Sequence, residues 1–223
     1  VFDLISRYDT KILEAFWVTI KLTAFSAVGA LILGTVIAAM RVSPVPIARA
    51  VGTAYVTVFR NTPLTLIIVF CSLGLYSTLG WTLGSDQLTD TNYRWAIIGL
   101  SVYTAAFVCE SLRSGINTVA LGQSEAGRSL GLTFSQNLRF IVLPQAFRSV
   151  IAPLGSVLIA LTKNSTVAAV IGVSEAALLM SEMLENEAAL LAIGAIFAFG
   201  FVLLTLPMGL LFGWLAKRFE VAR

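Results

Sequence analysis

The sequence predicts an all-α membrane protein with five transmembrane helices, its N-terminus outside and its C-terminus cytoplasmic. Three observations predict it. Of 223 residues, 57% are hydrophobic and 12% charged, a balance far from that of soluble domains. The apolar residues fall into runs of the roughly 20 residues that a helix needs to cross the hydrocarbon. The charges between those runs switch sign from one side to the other, and basic loops face the cytoplasm.

The first span runs from Phe16 to Met40, the second from Ala50 to Leu79 and the third from Trp95 to Leu112. The fourth runs from Val150 to Val173 and the fifth from Ala188 to Ala216. Each contains glycine or proline, which membrane helices tolerate where neighbours satisfy the freed backbone groups. Gly209 and Gly213 make a GxxxG, read here as ordinary packing. Residues 1–223 form one transmembrane domain.

Orientation follows from the connections. Arg41 and Arg49 flank the first; Arg113, Arg128, Arg139 and Arg148 lie in the third; Lys217, Arg218 and Arg223 follow the fifth span. Only Glu125 and Glu220 oppose them. The other side carries Asp3, Asp9, Glu14, Asp86, Asp90, Glu182, Glu185 and Glu187, against Arg7, Lys11 and Arg94. Five crossings need opposite ends, so count and charge agree. Trp17, Trp81 and Trp95 at outer boundaries and Trp214 at the inner one read as an aromatic belt.

Several function classes drop out. Histidine is absent, and Cys71 and Cys109 sit in apolar runs without metal-ligand spacing, so neither a metal site nor a disulfide framework is expected. The scattered basic residues do not make a nucleic-acid face. The polar start "VFDLISRYDTK" before a long apolar run does not read as a cleaved signal. No G-x4-G-K-[ST] occurs, so nucleotide phosphates have no cradle here. An intramembrane enzyme lacks its acids and histidines, and a Ser165–Lys163 dyad fails because residues two apart on a helix do not face each other.

The third connection, residues 113–148, is long yet not disordered in composition. "GQSEAGRSLGL" reads as a helix ending at Gly131; "TFSQNLRFIVLP" restarts with Thr133 as N-cap and is expected to stop at Pro144. Leu130, Leu132, Phe134 and Leu138 suggest a docking surface.

Polar groups also interrupt the spans. Arg60, Asn61 and Thr62 lie about 15 Å into the second, near the midplane of a ~30 Å core. Lys163, Asn164, Ser165 and Thr166 reach a similar depth in the fourth. A charge there costs roughly 2.5–3.5 kcal/mol on insertion scales and faces protein or a cavity. Glu110 and Arg113 have helix ion-pair spacing, and no midplane acid is expected to serve Arg60 or Lys163.

Glu125-Ala126-Gly127, then Gly131, Ile141, Leu143 and Pro144 resemble the E-A-A-x3-G-x9-I-x-L-P loop of ABC importer permeases. Gly127 replaces the second alanine. Glycine weakens a helix by about 1 kcal/mol, so Gly127→Ala is expected to be nearly silent. "FRNTPLT" and "LTKNSTVAAVIG" resemble further signatures of the polar amino acid family. "RVSPV", "ESLRSGINT" and "LTLPMGL" read like its actinobacterial glutamate branch.

The resemblance covers essentially the whole chain and implies a type I-like permease. It implies residues 113–148 as the loop that a cytoplasmic ATPase dimer grips. It also implies a second homologous permease chain, an extracytoplasmic substrate-binding protein, and no cofactor on this chain, ATP residing on the ATPase. Arg60, Asn61, Thr62, Lys163, Asn164, Ser165 and Thr166 are the substrate-pathway candidates. The lysine is followed by Asn164 where the family usually has aspartate, which favours an anionic ligand. Alternatives are a glutamine or basic amino acid permease and, less favoured, a secondary transporter, whose internal repeats are not visible here.

Overall fold

The computed structural model describes residues 2–85 and 87–219. Asp86, Glu220 and Arg223, counted above in the charge pattern, lie outside the described residues, as does the side chain of Asp3. All regular structure among the described residues is helical. Helix α1 spans Phe2–Val42, α2 Pro46–Asn61 and α3 Leu64–Val69, which widens into π-helical turns over Phe70–Thr78. Helix α4 spans Leu88–Asn117, α5 Leu121–Ser129 and α6 Phe134–Asn137, followed by π-helical turns at Leu138–Val142. Helix α7 spans Leu143–Asn164 and tightens to a 3₁₀ segment at Ser165–Ile171; α8 (Ala176–Asn186) and α9 (Leu190–Phe219) complete the described chain.

Four helical stretches are long and apolar enough to cross a membrane: Leu4–Val42, Leu88–Asn117, Phe134–Ile171 and Leu190–Phe219. The predicted second span is not one straight helix. It breaks at Thr62–Pro63, and the two arms Pro46–Asn61 and Leu64–Thr78 meet at 102°. Proline lacks the N–H that would continue the ladder and disfavours helical backbone before it. Thr62 is accordingly extended (φ −98°, ψ 131°). A straight-helix count from Ala50 thus reaches Arg60, which precedes the break, but does not extend to Leu79.

Helices α1 and α4 form the centre. Gly34 brings them close: a Cβ there would sit 2.7 Å from Val108 Cβ and 2.9 Å from the Ala105 carbonyl oxygen. Leu22, Leu64, Ile68, Leu100, Leu161 and Ala168 make a buried cluster joining α1, α3, α4, α7 and the 3₁₀ segment. A second cluster (Leu4, Ala15, Leu179, Met183, Ile193, Phe197) packs α8 and α9 onto the start of α1. Arg7 Nη1 lies 3.1 Å from Glu187 Oε1, so the first helix and the approach to α9 begin at the same end.

Three sequence readings change. Trp95 is a core residue rather than part of a belt: it is buried and donates Nε1–H to the Trp81 carbonyl at 3.0 Å. Gly213 of the GxxxG faces open space, and Gly209 comes only within ordinary contact of Ile159 at 3.7 Å. Helix α8, unforeseen, begins at Glu175, whose carboxylate accepts the Ala177 and Leu178 N–H groups at 2.9 and 3.1 Å. Cys71 and Cys109 are free and buried.

Candidate functional site

The break after α2 leaves Arg60 in the last turn of that helix, where the carbonyl end of the dipole favours a cation. Asn61 Nδ2 donates to the Thr57 carbonyl at 2.7 Å and Thr62 Oγ1 to the Val58 carbonyl at 2.8 Å. Their donors thus serve the unwinding turn of their own helix. The Arg60 guanidinium lies over the Phe107 ring, 5.8 Å from its centroid. It also stands 3.9 Å from Glu110 Oε2.

Glu110 holds a second cation. Arg41, in the last turn of α1, donates Nη1–H to Glu110 Oε1 and approaches Cys109 Sγ at 3.9 Å. The sequence reading is therefore corrected twice. Glu110 pairs with Arg41 and Arg60 rather than Arg113, and Arg60 has an acid within its own chain. Spacing along one helix cannot foresee three helices converging. Arg41, Val56, Thr57, Arg60, Asn61, Phe107 and Glu110 line a cavity of about 410 Å³.

Phe107 also lines a smaller groove of about 280 Å³, together with Tyr103, Thr104, Ser156, Val157, Ala160, Leu161 and Asn164. Asn164 is the last residue of α7. Beyond it the chain tightens to 3₁₀ and turns at Gly172, where φ is +77°. Asn92 fixes that turn: its Nδ2 donates to the Ile171 carbonyl at 2.7 Å, and its Oδ1 accepts from Ser72 Oγ at 2.9 Å. Ser165 is buried and donates to the Thr162 carbonyl at 2.7 Å. Thr166 Oγ1 donates to the Lys163 carbonyl at 2.7 Å.

The sequence candidates thus divide. Arg60, Asn61 and Asn164 gather around Phe107. Lys163 is exposed, lines neither cavity, and its side chain has no polar partner among the described residues. Missed from sequence were Arg41, Tyr103, Thr104 and Phe107, while Glu110 was singled out there with Arg113 as its partner. The signal existed: 103, 107 and 110 are helix-face spacing, and Thr104 completes the face. Thr104 Oγ1 is buried with no hydrogen-bond partner among the described residues, although it borders the groove.

Between α4 and α7 the chain folds as two short arms. Helix α5 ends at Ser129, and the chain turns at Gly131, whose φ of +84° suits glycine. Thr133 then caps α6 through a capping box with Gln136. Gly127 is buried between the arms, whereas Glu125 and Ala126 are exposed. Asn137 Nδ2 clasps the arms by donating to Ser124 O and Oγ at 3.0 and 2.7 Å. Leu130 (84% exposed) and Phe134 (58%) leave apolar surface outside.

Two expectations fail here. Pro144 does not stop the second arm; it sits in the first turn of α7, where a missing N–H is tolerated. The π-helical turns before it keep the axis continuous from Phe134 to Ile171. Nor is Gly127→Ala expected to be silent. A Cβ at 127 would lie 2.5 Å from Ile141 Cδ1 and 2.8 Å from Asn137 Oδ1.

Comparison with known proteins places these features. Residues 30–221 match the family described as binding-protein-dependent transport system inner membrane component. The chain is 59% identical to the glutamate transport system permease protein GluC of Corynebacterium efficiens, over 96% of each chain. It is 57% identical to the protein of that name from Corynebacterium glutamicum, again over 96% of each. A crystal structure of an amino acid ABC transporter with histidines superposes with a TM-score of 0.87 at 26% identity, covering 98% of both chains.

Proposed function

The chain belongs to the family of binding-protein-dependent transport system inner membrane components, as a multi-pass permease of an ABC importer, and from that premise we propose that the amino acid it passes is glutamate. The observation that carries the substrate is the 59% identity to a glutamate permease over 96% of both chains. The positive excess of the cavity beside Phe107 supports the same sign of ligand. The chain is a translocation subunit with no catalytic residue or cofactor of its own. ATP binds a partner ATPase dimer, a second homologous permease completes the pathway, and an extracytoplasmic binding protein delivers the amino acid.

The coupling element is the pair of arms between α4 and α7. Glu125 and Ala126 face outward with Leu130 and Phe134, so an ATPase groove meets them first. Gly127 and Ile141 hold the arms together, Gly131 makes the turn, and Leu143 and Pro144 start α7. Because the axis from Phe134 to Ile171 is continuous, movement of the arms is transmitted to Asn164 as a rigid-body tilt. Substrate passes Arg60, Asn61 and Asn164 around Phe107. The hydroxyls of Thr62, Ser165 and Thr166 keep their own backbone turns. Lys163 faces outward from one chain, so its partner is supplied by the second permease.

The test is uptake of labelled glutamate into proteoliposomes holding the permease pair, its ATPase and its binding protein. ATP-driven uptake that excess glutamate suppresses, and excess arginine does not, supports the reading. Preferential uptake of glutamine, or uptake that persists without the ATPase, overturns it.

A further inference from the structure

The ions at the break of α2 do not balance. Arg41 and Arg60 bring two positive charges to the cavity, and Glu110 is the only acid lining it among the described residues. Glu110 bonds Arg41 directly, while Arg60 stays 3.9 Å away, beyond hydrogen-bond distance, with a side chain 47% exposed. A net positive charge inside an apolar bundle draws a counter-ion. The cavity volume of about 410 Å³ falls in the range of small-molecule sites.

We propose that Arg41, Arg60 and Glu110 form a three-charge recognition site for an acidic amino acid, the two guanidiniums for its two carboxylates and the Glu110 carboxylate for its α-ammonium. The match is charge by charge: two cations and one anion in the protein meet two anions and one cation in the ligand. In the empty site Glu110 neutralises Arg41 and partly shields Arg60. An arriving carboxylate takes Arg60, for which Glu110 competes only weakly at its present distance. The ammonium then finds the freed oxygen, Glu110 Oε2. Arg60 is positioned for this by the proline break and by the Phe107 face beneath it. Neutral amino acids leave one guanidinium unmatched, and dicarboxylates without an amine leave Glu110 facing their own negative charge. The site thereby selects against both through unpaired charge.

This assignment rests on the acidic amino acid reading, and its test separates the two. The purified complex, without binding protein, is assayed for labelled glutamate binding in competition with glutamine and with 2-oxoglutarate. In the native complex both competitors are expected to be at least about tenfold weaker than glutamate, the scale of one charge-assisted hydrogen bond. Glu110→Gln should bring 2-oxoglutarate to within about threefold of glutamate while glutamine stays weak, on the same scale. Arg60→Gln should do the reverse, erasing the preference for glutamate over glutamine.

A cluster that only ties α1, α2 and α4 together would change assembly and leave these ratios alone. Unchanged ratios in assembled variants overturn the site. So does failure of both variants to assemble, which would give the cluster to structure, and so does absent glutamate binding in a native complex that still imports glutamate. If instead the native transporter imports no glutamate but imports another acidic amino acid that obeys the same ratios, glutamate falls as the substrate and the three-charge site stands.

Discussion

Helices α4 and α9 are each 30 residues long, and both are apolar enough to cross a membrane. They live in opposite surroundings. In the most apolar stretch of α4, 56% of positions are buried; in that of α9, 11% are. Helix α4 buries Thr91, Asn92, Ser101 and Thr104 and carries Glu110 into the cavity. Helix α9 has no charged residue before Lys217, and Phe199, Leu203, Leu206, Leu210 and Trp214 lie exposed along it. The difference shows where the polar groups collect. Polar groups tolerated in an apolar bundle gather on the element that neighbours surround, where each finds a partner or a cavity. The outer helix need only meet hydrocarbon.

The comparison breaks most severely at the α1–α4 contact. Gly34→Leu would drive a side chain into Val108 and the Ala105 carbonyl. The expected outcome is loss of about 1–3 kcal/mol or more, read as lower yield and lower Tm of the purified complex. Native yield and Tm would show that α1 and α4 are not the rigid centre. Leu210→Ala on the exposed face of α9 is the matched control, with an expected change within about 0.5 kcal/mol.

The arms between α4 and α7 come next. Glu125→Lys reverses the charge of an exposed residue without touching the bundle. The complex should still insert while uptake falls by an order of magnitude or more, about the scale of losing a buried charged contact at an interface. Native uptake from a fully assembled complex would exclude these arms as the coupling element. Gly127→Ala should be milder. Helix propensity gains about 1 kcal/mol while Ile141 and the clasped Asn137 must yield, so a small net loss of stability is expected. A Tm above native would mean that the arms relax freely.

The helix–turn–helix shape of the segment between α4 and α7 was legible, apart from Pro144 and Gly127, because its signals are local: a glycine needing positive φ and a capping box. The five apolar stretches were legible for the same reason. The ion cluster was not. Arg41, Arg60 and Glu110 lie 19 and 50 positions apart along the chain, and only the packing of α1, α2 and α4 against one another brings them together. Periodicity announces a proline break but not its direction. Lys163 is exposed on the single chain and lines neither cavity, since depth along a helix says nothing about the face on which a side chain emerges.

A smaller effect concerns Glu175, which lies outside the apolar spans at the start of α8. Burial pushes its carboxyl up to about 7, against the lowering by the Ala177 and Leu178 N–H groups and by Thr19. The folded state therefore holds this proton more tightly than the unfolded one, whose carboxyl stays near 4.5. Its contribution to stability is greatest below about 4.5 and is lost as pH rises towards about 7. Glu175→Gln keeps the accepting oxygen and should flatten Tm between pH 5 and pH 8, on the order of a degree or two. An unchanged slope would assign the pH dependence to other groups.

Thr104 on α4 separates a helix that lines the path from one that is merely buried. Its hydroxyl is buried, borders the groove and has no partner among the described residues. Thr104→Val removes that hydroxyl at nearly constant shape. Measured in the reconstituted transporter, glutamate uptake should fall several-fold while Tm holds or rises by the equivalent of about 1 kcal/mol, since an unsatisfied buried group is gone. Uptake at the native rate with a raised Tm would contradict the placement of the substrate path along α4.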